Sequence, residues 1–225
     1  AKGRPSIVLQ GGIHAGEIDG KDAGFEVVRE ALAGGAGREG LASTTLVFIP
    51  VLNVDGHERF GPCKRPQQRG PRDCGWRTTA QTLNLNRDFT KAEAPETQAL
   101  LALLDAWDPV VYVDLHVTDG AKFRHDISLV VTPDVPGSPL RPAALRLRDE
   151  LLERLSRAGH LPVGFYPAFR QDNEPSSGIA AGTAGPLMSH AYWGWRDRIG
   201  LLVETHSWRT YAERVRATRV LLTSL

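Results

Sequence analysis

Five short apolar runs punctuate the chain, and each stops where polar residues begin. They are SIVLQ at 6–10, TLVFIPV at 45–51, VVYVDL at 110–115, ISLVVT at 127–132 and IGLLVE at 199–204. Runs of this length, rich in Val and Ile, predict strands covered on both faces. Between them the apolar positions take up helical spacing: roughly 16–33, then APETQALLALLDAW at 94–107, PLRPAALRLRDELLERLSRAG at 139–159 and TYAERVRATRVLL at 210–222. The third of these puts Leu147, Leu151 and Leu155 on one stripe, with Arg146 and Glu150 at ion-pair spacing. It reads as a solvated surface helix, not a nucleic-acid element. Strands alternating with helices predict an α/β layered sheet.

Two polar stretches interrupt this rhythm, one from Gly56 to Leu83 and one from about Leu161 to Pro186. Loops that long inside a compact domain are usually functional or mobile. Neither reads as a domain boundary, because the flanking strands need each other to complete one sheet. A chain of 225 residues suits one domain around one core, so residues 1–225 are expected to form a single catalytic domain. It opens AKGRPSIVLQ without Met and enters a strand within a few residues, as an excised or N-terminally trimmed fragment would.

Charge narrows the partner. With 27 Lys and Arg against 26 Asp and Glu, no global field favours nucleic acid or an acidic membrane surface. The basic loop CKRPQQRGPR reads as solvated charge. No run reaches the length of a membrane span and no signal segment opens the chain, so a soluble protein is expected, periplasmic or secreted if a leader was removed. Cys63 and Cys74 share the loop GPCKRPQQRGPRDCGW; they are either a small disulfide in an oxidising compartment or two free thiols. Their spacing is not that of a CxxC zinc site.

In open α/β sheets ligands gather at the carboxyl ends of the strands. His14 follows the first run, His116 the third, Glu204 ends the last, and Glu17 stands three residues past His14 in GGIHAGEIDG. Four groups able to bind metal or move protons would thus meet at one edge. Two imidazoles and a carboxylate leave an open position on Zn²⁺, as a hydrolytic site requires.

The sequence resembles the M14 zinc carboxypeptidase family, and the likeness runs in order through most of the chain. It comprises HAGE at 14–17, NVDG at 53–56, WRTTAQTLNLNRDF at 76–89, DLHVTDG at 114–120 and LLVETHSW at 201–208. Within the family it looks most like a bacterial subfamily whose third ligand sits in an HVTDGA-like turn and whose base sits in VETHSW, rather than the digestive enzymes. The resemblance implies a three-layer α/β/α sandwich with a mixed, mostly parallel sheet, and one zinc ion per chain. By position it makes His14, Glu17 and His116 the zinc ligands and Glu204 the general base. Arg77 becomes the oxyanion-stabilising arginine, and Asn86 and Arg87 the holders of a substrate's terminal carboxylate. Tyr192 in SHAYWGW is the nearest match to the family's mobile tyrosine. Two departures stand out: Asn84 replaces an acidic residue that orients the first ligand His in many members, and the elements that usually precede the HxxE turn are absent or trimmed.

The expected activity is therefore zinc-dependent hydrolysis of a C-terminal peptide bond. A zinc-dependent deacylase of N-acyl amino acids, or an amidohydrolase of cell-wall or amide-branched peptides, would use the same ligands. A catalytically inactive peptide-binding module would have no need of Glu204. Other polar residues have plainer readings: His57 as a surface loop residue, His206 as either a neighbour tuning Glu204 or simple packing, Asp119 and Gly120 as a turn, and Trp193 and Trp195 as packing aromatics. Asp114, on the face of His116, is either a hydrogen-bond partner of that imidazole or a turn-end carboxylate.

Overall fold

The computed structural model describes residues 3–225. In chain order the main elements are β1 (Ser6–Gln10), α1 (Asp19–Leu32), α2 (Arg38–Ser43), β2 (Thr45–Ile49), α3 (Val54–Glu58), β3 (Gly61–Pro62), β4 (Asp73–Cys74), α4 (Pro95–Trp107), β5 (Val111–Val117) and β6 (Ile127–Thr132). There follow α5 (Arg141–Arg157), β7 (Pro162–Val163), β8 (Pro167–Phe169), β9 (Ile179–Ala181), α6 (Ser189–Trp195), β10 (Ile199–Thr205) and α7 (Tyr211–Leu222). All five apolar runs are strands of one six-stranded sheet, ordered β2-β1-β5-β10-β6-β7. Every pairing is parallel except β10 with β6, so the sheet is mixed and mostly parallel, as expected.

Side-chain alternation sorts the strands onto two faces. Leu9, Val113, Leu115, Leu201 and Val203 pack with α1, α5 and α7 in one cluster, while Val8 and Tyr112 pack with α4 and Trp193 of α6 in the other. The result is three layers. On α1 the buried positions Gly20, Ala23, Gly24, Val27 and Ala31 form a helical stripe. Its glycines permit close approach: a Cβ on Gly20 would lie 2.5 Å from Leu115 and one on Gly24 2.3 Å from Phe48. A capping box, Thr210 with Glu213, starts α7. Arg214 of that helix, wholly buried, donates from Nε to Asp19 Oδ2 at 2.6 Å, and Thr205 Oγ1 donates to the same oxygen at 2.9 Å. This ties α1, α7 and the end of β10 together; removing one partner of such a pair costs about 3–5 kcal/mol.

Helix α1 begins at Asp19 rather than near 16, because residues 11–18 are a turn. The polar stretch after Gly56 contains the end of α3 and the small β3–β4 ribbon, which is closed by a Cys63–Cys74 disulfide. The second stretch holds the β8–β9 ribbon, and α6 follows it. Among the described residues no helix is long and apolar enough to cross a membrane.

Candidate active site

Three parallel strands, β1, β5 and β10, end on the same edge of the sheet and supply the centre of the site. His116 and Glu204 are paired in the β5–β10 register, and both stand on the α4/α6 face because His116 is four residues from Tyr112 on β5. The turn after β1 brings in the others: the Glu17 amide donates to the His14 carbonyl at 2.9 Å, which sets the two side chains on one side. His14 Nδ1 then lies 3.0 Å from Glu17 Oε1, and His116 Nδ1 lies 3.0 Å from Glu17 Oε2.

Behind each ring stands an acceptor. His14 Nε2 is 3.1 Å from Asn84 Oδ1, and His116 Nε2 is 2.8 Å from Asp114 Oδ2. With the ring protons on the Nε2 atoms, both Nδ1 lone pairs face the Glu17 carboxylate. Three electron-pair donors then converge, their ligand atoms all within 4.8 Å of one another, a set that could hold a metal ion. Two nitrogens and a carboxylate suit Zn²⁺. Asn84, the departure from an acidic residue, thus still orients His14.

The charges divide sharply. Burial alone would raise the Glu17 carboxyl, but Arg65, His14 and His116 overrule it and hold the group well below the usual range. Burial lowers His14; at His116 it works in the same direction, yet the Asp114 carboxylate outweighs it and the ring is raised. At Glu204 burial prevails over the His116 ring, which pulls the other way. Burial pushes its carboxyl up to about 8, and Oε2 is buried with no hydrogen-bond partner.

These residues face a cavity of about 250 Å³ whose lining includes His14, Glu17, Arg77, Asn86, Arg87, His116 and Glu204. Arg77 Nη1 reaches within 3.2 Å of His14 Nδ1 and 3.4 Å of Glu17 Oε1. The NVDG loop explains its place, since Asn53 caps α3 by accepting the Gly56 amide and donates from Nδ2 to the Arg77 carbonyl at 3.1 Å. Asn86 Oδ1 accepts the Ser189 amide at 3.0 Å, joining the turn at 85–87 to the start of α6. Arg87 is exposed at the cavity; Nη1 donates to the Asn86 carbonyl.

Tyr192 is not among the cavity-lining residues. It lies on the α4 side of the sheet, with its ring 5.8 Å from Phe89, so the nearest sequence match to a mobile tyrosine is a packing residue. Tyr166 lines the cavity instead, and its oxygen accepts the Asp119 amide at 3.3 Å. It lies just before β8, in an irregular stretch without periodicity. Asp119 lines the cavity as well as making its turn. His190 is in the wall, buried, with neither ring nitrogen paired, and burial pushes it down to about 4. His206 and His57 are elsewhere: His206 accepts the Phe123 amide at 2.8 Å and stacks on His125, while His57 neighbours Lys21. Trp193 is buried, whereas Trp195 is 70% exposed and packs far less than expected.

The basic loop is not uniformly solvated. Arg65 is buried against Glu17, with Nη1 2.7 Å from Oε1, and nothing in the spacing of KRPQQR distinguishes it from its exposed neighbours.

Comparison with known proteins follows the same lines. A metallo-carboxypeptidase from Burkholderia cenocepacia superposes with a TM-score of 0.68 at 15% identity, covering 100% of this chain and 57% of that one. A metallo-carboxypeptidase from Pseudomonas aeruginosa, solved in complex with (2-guanidinoethylmercapto)succinic acid, gives 0.67 at 16% identity with the same coverages. A succinylglutamate desuccinylase/aspartoacylase from Rhodobacter sphaeroides gives 0.57 at 17% identity, covering 99% of this chain and 55% of that one. The chain therefore spans little more than half the length of these structural relatives, and the likeness establishes the fold. No curated protein matches the sequence. The family model of zinc carboxypeptidases matches residues 1–123, more than half of the 225. On that match, which takes in the HAGE turn, the NLNRDF segment and the DLHVTDG strand end, the chain belongs to the M14 family of zinc carboxypeptidases.

Proposed function

We propose that the protein is a zinc-dependent metallocarboxypeptidase that hydrolyses the C-terminal peptide bond of peptide substrates. The reading is carried by one cavity that contains a His–Glu–His donor set, a buried carboxylate and two arginines. His14, Glu17 and His116 would hold the ion, which supplies Lewis acidity and a nucleophile available near neutral pH. Arg87, exposed at the cavity, takes both oxygens of the substrate's terminal carboxylate in its planar fork, with Asn86 beside it. Arg77 stabilises the negative charge that develops on the scissile carbonyl oxygen. Glu204 takes a proton from the attacking water and delivers it to the leaving amine. Its Oε2, buried at the cavity with no hydrogen-bond partner, is the atom available for that proton. The role expected of Tyr192 passes to Tyr166, whose oxygen accepts from Asp119 and so keeps its own proton for the substrate.

The test is mass-spectrometric analysis of a peptide pool in which every sequence is present with a free and with an amidated C-terminus. Loss of single residues from the free acids alone is the expected result; cleavage of both forms alike would remove the carboxylate-holding role of Arg87. A second reading, deacylation of N-acyl amino acids or hydrolysis of amide-branched cell-wall peptides, draws on the fold shared with the desuccinylase, because those substrates also present a free carboxylate. If no peptide is cut, those compounds are the next substrates. The Cys63–Cys74 disulfide supports an oxidising compartment, such as the periplasm or the outside of the cell.

A further inference from the structure

Two arginines reach Glu17, and they are held in different ways. Arg77 is 38% exposed and stands 3.4 Å from Oε1, whereas Arg65 is 9% exposed and stands 2.7 Å from the same oxygen. All three nitrogens of the Arg65 guanidinium are engaged: Nη1 on Glu17, Nη2 donating to the Val117 carbonyl at 3.2 Å, and Nε donating to Gln68 Oε1 at 2.7 Å. Gln68 in turn donates to the carbonyls of Gly16 at 3.0 Å and Gly70 at 3.2 Å. The loop carrying both is closed by the Cys63–Cys74 disulfide and lies directly on the HAGE turn. A Cβ on Gly16 would meet Arg65 Cδ at 2.9 Å and the Gly75 carbonyl at 3.0 Å. This is a fixed cation built onto one oxygen of a buried carboxylate, not the flexible ion pair of a surface loop.

We infer that Arg65 is a positioning residue that holds Glu17 in place as a metal ligand and leaves Arg77 free for the substrate. The inference rests on the metal site proposed above. The Val117 amide donates to Oε2 at 3.0 Å, so with Arg65 on Oε1 each carboxylate oxygen has one fixed partner and the group cannot rotate away from the two imidazoles. Without Arg65, Arg77 is the remaining guanidinium within reach of Glu17, and its attraction to that carboxylate would draw it from the cavity.

The experiment measures zinc affinity by competition with a chromophoric chelator for wild type, Arg65→Met, Arg65→Lys and Gln68→Ala, with thermal melting of each metal-free protein as the folding control. Loss of a group that orients a ligand weakens metal binding about 10- to 100-fold, and that is expected for Arg65→Met, with Arg65→Lys recovering part of it. Zinc-saturated Arg65→Met should also show a lowered kcat with KM little changed. Arg65→Met that melts like wild type and binds zinc as tightly overturns the inference. Should Arg65→Met not fold, Arg65→Lys and Gln68→Ala decide: zinc binding weakened in both supports it, and zinc binding unchanged in both overturns it. Because the main readout is affinity, a wild type that binds zinc but cuts no peptide would defeat the proposed activity while leaving this test intact.

Discussion

Two of the regions that build the site are made differently. One is the sheet edge, where Asp114, His116 and Glu204 project from paired parallel strands. The other is the long segment before α4, which supplies Arg65, Arg77, Asn84, Asn86 and Arg87 from turns and loops. The walls treat their carboxylates in opposite ways. Glu17, which burial alone would neutralise, is kept ionised chiefly by Arg65 from the loop wall; Glu204, on the sheet wall, is pushed up to about 8 by burial. In the proposed function these two residues of one type take two tasks, an anion for a cation and a carrier of protons. There the ends of β5 and β10 supply one metal ligand and the proton carrier, the turn after β1 supplies the other two ligands, and the loop wall sets charge.

The largest expected effect comes from Glu204→Gln. It should lower kcat by about 10²–10⁴-fold, the usual contribution of a general acid–base group, while zinc content measured by atomic absorption stays at one per chain. Turnover at the wild-type rate would mean that the two carboxylates do not divide the work in this way. Next come the groups behind the imidazoles. Asp114→Ala, on the sheet side, should weaken zinc binding about 10- to 100-fold, and Asn84→Ala, on the loop side, by less, because a neutral amide polarises its ring less than a carboxylate does. Chelator competition would show the order, and the reverse order would shift the organising role to the loop.

The sheet wall was legible in the sequence for a physical reason. Apolar runs that stop at His116 and Glu204 mark strand ends, and a period of two then places Asp114 with His116 on one face. The HAGE turn was legible from its place just past the first run, whereas the NR pair of the loop wall emerged only through the family resemblance, since irregular backbone has no period to read. Arg65 escaped both routes: within KRPQQRGPR one arginine is buried and the rest are on or near the surface, and the difference arises from contacts with Gly16, Val117 and Glu17 far away in sequence. The tyrosine went wrong for a related reason. Tyr192 sits on a short helix whose far side packs on Phe89, while Tyr166 enters the cavity from a stretch with no pattern at all.

A smaller effect separates those two tyrosines. Tyr166→Phe should reduce kcat/KM by about 2- to 10-fold, the worth of one neutral hydrogen bond, and Tyr192→Phe should leave it unchanged. Equal losses would show that the α6 side contributes more than packing. The smallest lies outside the cavity's charge system. His125 is buried against His206, with ring centroids 4.8 Å apart, and burial, then the His206 neighbour, pushes it down to about 4. The unfolded chain takes up that proton near 6.5 and the folded one only near 4, so this contribution to stability is complete above 6.5 and is lost as pH falls between those values. Thermal melting from pH 7 to pH 4.5 should therefore show a shallower decline for His125→Gln than for wild type. At about 2–4 °C per kcal/mol for a chain of this length the difference is readable. Parallel curves would mean that His125 titrates alike in both states.

The central claim is that His14, Glu17 and His116 hold one metal ion. Diffraction from crystals grown with zinc, recorded on both sides of the zinc absorption edge, tests it most directly. One anomalous peak per chain is expected, at about 2.0–2.2 Å from a nitrogen of His14, a nitrogen of His116 and an oxygen of Glu17. A peak elsewhere, or a donor set without density in a crystal that contains zinc, would contradict it.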